Sequence, residues 1–323
     1  MAMEDKMKIV YCGCGKFGVD SLNALKASKH QLVHVITHPE KQAGRGKKLR
    51  ANDVEQWAIQ NNIPFTTIED VNCPDGVELI KKLESDLMVV IAFGQKISSE
   101  IISIPAKGAI NVHGSLLPKY RGAAPINWAI INGDTETGVT IITLAQKMDA
   151  GEMLAKATLK IGENDTAGFV HDELASLAAS LLIETIDKIE AGTAVYNKQD
   201  NLKATSAPKL KKADGIIDFS QTARAIHNKI RGLWPWPGAA ADFVSSKSGK
   251  RFTVTFAKTA IVEEAAKHQP GLINPDLSIG CGQGSLKIIE LKPHGGKLMD
   301  FKSFINGRAG GAGDYFAQAQ ENK

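Results

Sequence analysis

The chain has 323 residues, 43% of them hydrophobic, and a formal net charge of +4. That length favours two domains over one, and that apolar share is enough to fill their cores. No apolar run approaches the ~20 residues that a membrane-spanning helix needs, and four cysteines without a C-x-x-C pair (Cys12, Cys14, Cys73 and Cys281) point to neither a zinc site nor a disulfide framework.

The first eight residues, M-A-M-E-D-K-M-K, resemble neither a secretory signal nor an Arg-rich transit peptide. The expected compartment is the cytoplasm. Charge is unevenly spread. Residues 1–202 carry 21 Lys+Arg against 25 Asp+Glu, and residues 203–323 carry 18 against 10. A second half this basic suits a polyanionic partner, although a solvated surface would read the same way.

Residues 8–12 read as a first strand. Gly13-Cys14-Gly15-Lys16-Phe17-Gly18 then gives G-x-G-x-x-G ahead of a helix over 19–27. This is the dinucleotide fingerprint, which also asks for an acid closing the second strand. That strand, 31–37, runs into His38-Pro39-Glu40, with Glu40 beyond a proline. A tight turn that needs glycine for its backbone geometry is the simpler reading. Residues 41–50, K-Q-A-G-R-G-K-K-L-R, hold five cations and no acid. Such a loop is solvated and can order itself against phosphates.

Asn52 or Asp53 caps a helix running to residue 61. A strand over 63–68, a helix over 75–85 and a buried strand over 86–92 follow. Strands alternating with helices imply a parallel sheet covered on both faces. Ligands of such sheets bind outside the carboxyl ends of the strands. Phe93-Gly94-Gln95 lies at one such end.

Ala109-Ile110-Asn111-Val112 ends another strand, and the period of two puts Asn111 and His113 on one face of it. A loop punctuated by Gly114, Pro118, Gly122 and Pro125 comes next, with Lys119, Tyr120 and Arg121 at its rim. Closely spaced glycine and proline suit a loop whose backbone lies close to something. A helix over 124–131 and a strand over 137–143 lead to Leu144-Ala145-Gln146-Lys147-Met148-Asp149-Ala150-Gly151, and a strand over 152–161 pairs at the sheet edge. Asp149 therefore also stands at a strand end. An amide, an imidazole and a carboxylate so placed can deprotonate an amine and hold an oxyanion.

The run N-x-H-x-S-L-L-P-x-x-R-G-A-A-P-I, followed by M-D-x-G, resembles the folate-dependent formyltransferases, most closely those acting on methionyl-tRNA. The resemblance spans most of the chain. It implies an α/β fold, with a Rossmann-like, mostly parallel sheet domain followed by a small OB-like β-barrel. It assigns Asn111, His113 and Asp149 as the catalytic set. It places the pterin at Phe93, Gly94 and Gln95, while Ser115, Leu116, Leu117 and Pro118 shape the folate pocket. The loop with Arg45, Lys47, Lys48 and Arg50 resembles the insertion that grips the tRNA acceptor end, which small-substrate relatives do not usually carry. The turn at Gly13 departs from the family's usual form.

Asp165 or Thr166 caps a long helix to residue 191. Residues 192–212 show no period and carry Lys203, Lys209, Lys211 and Lys212, which reads as an exposed basic linker. A helix over 222–230 and the rigid aromatic turn Gly232-Leu233-Trp234-Pro235-Trp236-Pro237-Gly238 follow. Short β-forming runs at 252–256, 277–281 and 286–291 suggest a small barrel. A helix over 300–306 and a mobile Gly-rich tail over 307–313 close the chain. The expected organisation is a catalytic domain over 1–191, the linker over 192–212, and a tRNA-binding domain over 213–323, with Lys209, Lys211 and Lys212 joining the tRNA contacts.

The expected reaction moves the formyl group of 10-formyltetrahydrofolate to the α-amino group of initiator methionyl-tRNA, supporting translation initiation. It needs no metal and no membrane, and a monomer is expected. The rivals are a sugar-nucleotide N-formyltransferase, a formyltetrahydrofolate hydrolase, a nicotinamide-dependent oxidoreductase resting on the Gly13 turn, and a non-catalytic nucleic-acid binder. The last leaves Asn111, His113 and Asp149 unexplained.

Overall fold

The β-rich runs that alternate with helices in the first half become a sheet with the expected parallel pairing. The computed structural model describes residues 6–43, 48–262, 269–308 and 310–319. The chain divides into two units. The first comprises Met1–Gly122, Thr137–Leu159 and His171–Ser206; the second comprises Ala123–Glu136, Lys160–Val170 and Ala207–Lys323.

Strands β1 (Lys8–Gly13), β2 (Gln31–Thr37), β3 (Lys41–Ala43) and β4 (Lys48–Arg50) come first, then β5 (Phe65–Thr67), β6 (Leu87–Ile91), β7 (Ala109–His113), β8 (Glu136–Thr143) and β9 (Met153–Lys160). Seven of them form one sheet in the order β5-β2-β1-β6-β7-β8-β9. The β5, β2, β1, β6 and β7 neighbours are parallel, and β8 runs antiparallel to β7. Every residue of β6 is buried, as a strand covered on both faces requires. Helices α1 (Val19–Ala27), α2 (Asp53–Asn61), α3 (Pro74–Lys82) and α4 (Ser99–Ile102) connect the parallel strands. The Asn52 side chain caps α2, accepting from the Val54 and Glu55 amides at 3.1 Å. Among the described residues of the basic loop, β3 and β4 pair antiparallel.

Two of the three glycines of G-x-G-x-x-G, Gly13 and Gly18, answer to packing within the protein, whereas a Cβ on Gly15 would meet only Ala92 Cβ at 4.0 Å. A Cβ on Gly13 would lie 2.5 Å from the Ile91 carbonyl oxygen, and one on Gly18 would lie 1.8 Å from Tyr11 Oη. The turn thus records a close approach to β1 and β6 and not the special backbone geometry expected of it, since Gly15 and Gly18 have φ -99° and -87°.

Helix α5 (Pro125–Ile131) lies between β7 and β8 in sequence, and α6 (Ala167–Glu190) follows β9. In the second unit α5 packs on α7 (Ala223–Leu233), with Asn127 Nδ2 donating to the Gly232 carbonyl at 2.7 Å. Strands β10 (Ala239–Val244), β11 (Arg251–Val262), β12 (Ser278–Gly280), β13 (Ser285–Pro293), β14 (Met299–Asp300) and β15 (Tyr315–Gln318) form a six-stranded sheet, with α8 (Phe301–Asn306) before β15. All of its ladders are antiparallel, and the long β11 shifts register near Lys258 as the sheet curls. This is the OB-like domain. Its core is aromatic: Phe219, Phe243, Phe256, Phe301, Phe304 and Phe316 are all buried.

Two expectations change. β10 and β15 were not foreseen from the sequence. The tail read as mobile is held down, since the Gly310 amide donates to the Ile305 carbonyl at 3.0 Å and the Gly313 amide to Ile273 at 3.0 Å.

Gly18→Ala should lower the unfolding free energy by about 1–3 kcal/mol through overpacking. Tyr11 Oη is buried without a hydrogen-bond partner among the described residues, so Tyr11→Phe alone should be neutral or stabilising. Combined with Gly18→Ala it should recover part of the loss. Urea unfolding of the two single variants and the double variant measures both effects.

Candidate active site

Strand register fixes Asn111 and His113 at the carboxyl end of β7. β7 pairs with β6 through Val90↔Asn111, and with β8 through Asn111↔Ile142 and His113↔Thr140. Asn111 is half-buried and His113 is buried. The Asn111 carboxamide has no hydrogen-bond partner among the described residues.

The His113 ring stands between two acceptors. Nε2 lies 2.9 Å from the Tyr120 carbonyl oxygen, and Nδ1 lies 3.6 Å from Asp149 Oδ1. A carbonyl only accepts, so Nε2 carries a proton and donates it there. In the neutral ring Nδ1 is then a bare lone pair turned toward a carboxylate. The second carboxylate oxygen, Asp149 Oδ2, accepts the Gly122 amide at 2.8 Å. The loop after β7 therefore holds the imidazole through the residue before Arg121 and the carboxylate through the residue after it.

That loop is fixed from inside. Thr140 Oγ1, fully buried on β8, donates to the Ser115 carbonyl at 2.7 Å and accepts the Leu117 amide at 3.1 Å. Ser115 Oγ donates to the Lys119 carbonyl at 2.7 Å. Lys156 Nζ on β9 donates to the Leu117 carbonyl, and its partial burial lowers the ammonium pKa.

Strained backbone concentrates here. Asp149 has φ 53°, Tyr120 has φ 62°, and Ala92, just past β6, has φ 48°. Each left-handed non-glycine residue costs about 1–3 kcal/mol and persists only where its surroundings over-determine it. At Asp149 the surroundings include Gln199, whose Nε2 donates to the Asp149 and Gly151 carbonyls at 2.7 and 2.8 Å. Arg121 Nε and Nη2 in turn donate to Gln199 Oε1 at 3.1 and 2.7 Å.

The residues expected against folate divide into two groups. The Phe93 ring is core, and its carbonyl accepts from His38 Nε2 at 2.7 Å. Gln95 is committed to scaffold: Oε1 accepts the Val71 amide at 2.7 Å and Nε2 donates to the Ile68 carbonyl at 3.1 Å. Gly94, at φ 77°, lies between them. Ser115 and Leu117 are buried, whereas Leu116 and Pro118 are half-buried. Of those expected against tRNA, Arg45 and Lys47 lie outside the described residues. Lys48 and Arg50 bound β4. In the second unit Lys209, Lys211 and Lys212 are exposed. Among the described residues, the one histidine–carboxylate group close enough to share a metal is His30, Asp187 and Glu190. There Lys29 Nζ already sits 3.2 and 2.6 Å from the two carboxylates.

A family model for formyl transferase matches residues 7–186, and one for the formyl transferase C-terminal domain matches residues 209–309. The methionyl-tRNA formyltransferase of Acetivibrio thermocellus is 40% identical over 316 residues, which is 97% of this chain and 100% of the relative. The chain belongs to the methionyl-tRNA formyltransferase family. The member from Geobacter metallireducens is 39% identical, over 93% of this chain and 96% of its own. Among solved structures, the N-formyltransferase of Helicobacter canadensis, in complex with folinic acid and dTDP-3-aminofucose, superposes with a TM-score of 0.66 at 20% identity, over 87% of this chain and 98% of that one. HypX of Aquifex aeolicus, in complex with tetrahydrofolic acid, gives 0.60 at 17% identity, over 93% of this chain and 47% of that one. These two likenesses speak to the fold.

Thr140, Lys156 and Gln199 escaped the sequence reading. Thr140 sits in a β-run whose period shows only that it points inward. Gln199 sits in the stretch read as linker.

Thr140→Val keeps the shape but strips partners from the buried Ser115 carbonyl and Leu117 amide. It should cost about 1–3 kcal/mol of stability, measurable by denaturant unfolding, and the loss should exceed that of the exposed substitution Thr193→Val.

Proposed function

We propose that the chain transfers the formyl group of 10-formyltetrahydrofolate to the α-amino group of initiator methionyl-tRNA, with Asn111, His113 and Asp149 as the reacting set. Family membership along the whole chain supports the reaction. The convergence of His113 Nδ1 and Asp149 Oδ1 at 3.6 Å is the observation that carries the site.

The chemistry has three demands. The attacking amine must lose a proton, the oxygen of the tetrahedral intermediate needs a donor, and the leaving folate nitrogen must gain a proton. The Asn111 amide, lacking a protein partner among the described residues, is the oxyanion donor. Asp149 Oδ1 and His113 Nδ1 are both acceptors facing the same space, which suits an incoming amine that brings its own N–H groups. The proton taken there has two resting places. Held on Nδ1, it makes an imidazolium stabilised by the carboxylate, and from that atom it can pass to the leaving nitrogen. The Nε2–H stays on the Tyr120 carbonyl throughout, so one ring atom does the exchanging.

The folate donor is proposed to meet Leu116, Pro118 and the backbone around Gly94, with Phe93, Gln95, Ser115 and Leu117 shaping the wall from behind. The tRNA is proposed to meet Arg45, Lys47, Lys48 and Arg50, and in the second unit Lys209, Lys211 and Lys212. The excess of basic residues in the second half supports this partner.

Incubation with the formylfolate and charged initiator tRNA, scored for blocked amino groups, tests the reaction. Asn111→Ala should lower kcat by about 10²–10³, and Asp149→Ala by about 10²–10⁴, with thermal unfolding unchanged. Full activity in either variant removes that residue from the mechanism.

Replacing Arg45, Lys47 and Lys48 together by Ala should raise the KM for tRNA by about tenfold or more, while the KM for the formyl donor stays put. The defect should narrow as added salt weakens the wild-type protein as well. Equal tRNA KM values at low salt would remove this loop from the tRNA site.

A further inference from the structure

Residues 193–206 have neither helical nor strand period, yet they are laced to the site within the first unit. The Arg121 amide donates to the Thr205 carbonyl and the Tyr120 amide to Thr205 Oγ1, both at 2.8 Å. Asn197 exchanges backbone hydrogen bonds with Met153 at 2.8 and 2.9 Å. Between these anchors Gln199 is half-buried, while Lys198 and Asp200 on either side are exposed.

The Gln199 amide is fully committed. Its oxygen takes the Arg121 fork, and its nitrogen donates to the carbonyls of Asp149 and Gly151. The Arg121 donors can only meet an acceptor, which fixes the flip of the amide and turns its two N–H groups to the two carbonyls. Those carbonyls bracket the turn in which Asp149 is left-handed. A ring closes: the Asp149 carboxylate to the Gly122 amide, along the chain to the Arg121 side chain, across to Gln199, and back to the Asp149 carbonyl.

We propose that Gln199 is a positioning residue for Asp149, holding its backbone in the left-handed turn that aims the carboxylate at His113 Nδ1. The proposal rests on the reading of Asp149 as a reacting group. Arg121 is the lever that couples this turn to the loop after β7. Without the two N–H groups of Gln199, Asp149 can relax toward an ordinary backbone conformation, and its carboxylate swings away from the imidazole. A carboxylate displaced by about 1 Å is enough to cost about 10²-fold in rate.

Gln199→Glu is the decisive variant. It keeps, and charges, the pairing with Arg121, so the buttress stays, but it sets an oxygen where the N–H donors were. Gln199→Leu removes both ends. For Gln199→Glu the kcat of methionyl-tRNA formylation should fall about 10²-fold. Its KM for the formyl donor should move less than about twofold, because the loop that meets folate is untouched. In an Asp149→Asn background, followed by single-turnover assay, adding Gln199→Glu should produce no further loss, because the residue acts only through Asp149. A crystal structure of Gln199→Glu should show Asp149 out of the left-handed region or its carboxylate turned from His113.

Unchanged kcat in Gln199→Glu, or a full additional loss in the Asp149→Asn background, would overturn the proposal. So would an Asp149 that keeps its φ and its approach to Nδ1 in the variant crystal, a result that stands whatever the substrate. Failure of the wild-type protein to formylate methionyl-tRNA would instead count against the proposed reaction, and the crystal comparison would still decide the role of Gln199.

Discussion

One carbonyl and one amide, on the residues either side of Arg121, set the geometry of the site. The Tyr120 carbonyl takes the Nε2–H of His113, and the Gly122 amide takes one oxygen of Asp149. Both contacts belong to the same stretch of backbone, so the ring and the acid cannot drift independently. A side-chain partner for each would leave two sets of rotamers to fix. Here the rotamers are fixed by a loop that has itself lost its freedom. That loop is spanned by Thr140 and Lys156, which reach it from β8 and β9. The geometry of the candidate site is thus passed from the sheet to the loop, and from the loop to His113 and Asp149.

The edge of the sheet makes this possible. β6 and β7 are parallel, and their carboxyl ends present Gly94 and Asn111 in the usual place for a ligand of an α/β sheet. β8 runs antiparallel to β7, with Thr143 opposite Ile110, and the connection from β8 to β9 carries Asp149, whose Oδ1 lies 3.6 Å from His113 Nδ1. The candidate site thus draws on the ends of β6 and β7 and on the β8–β9 connection.

Sequence showed some of this and hid the rest, for identifiable reasons. The period of two along Ala109–His113 was enough to place Asn111 and His113 on one face. The alternation of strands and helices was enough for the parallel sheet. β10 begins with three alanines, which carry little β preference, and β15 is a four-residue run behind glycines. Their pairing comes from partners far away in the chain. The glycine tail looked mobile because composition reports what a segment can do alone, and Gly310 and Gly313 are held by Ile305 and Ile273. Phe93 and Gln95 were found as a place, but their side chains are spent on the core and on Ile68 and Val71. Gln199 was hidden most completely. A glutamine in an aperiodic stretch carries no pattern, and its meaning lies in a left-handed aspartate 50 positions earlier.

The protonation pattern also bears on how the proposed reaction starts. With Nε2–H given to a carbonyl, a neutral His113 offers only an acceptor toward Asp149, and the carboxylate offers another 3.6 Å away. Two acceptors facing one another at that distance repel unless a proton or a donor stands between them. An amine arriving as an ammonium ion has three N–H groups and a positive charge, and so relieves the repulsion on entry. In the proposed reaction the ammonium sheds one proton to solvent before it attacks, and the second, lost as the new bond forms, is the one these lone pairs take and pass to the leaving nitrogen. In that proposed reaction the Asn111 amide, which cannot gain or lose a proton, is left for the one charge that appears only as the new bond forms.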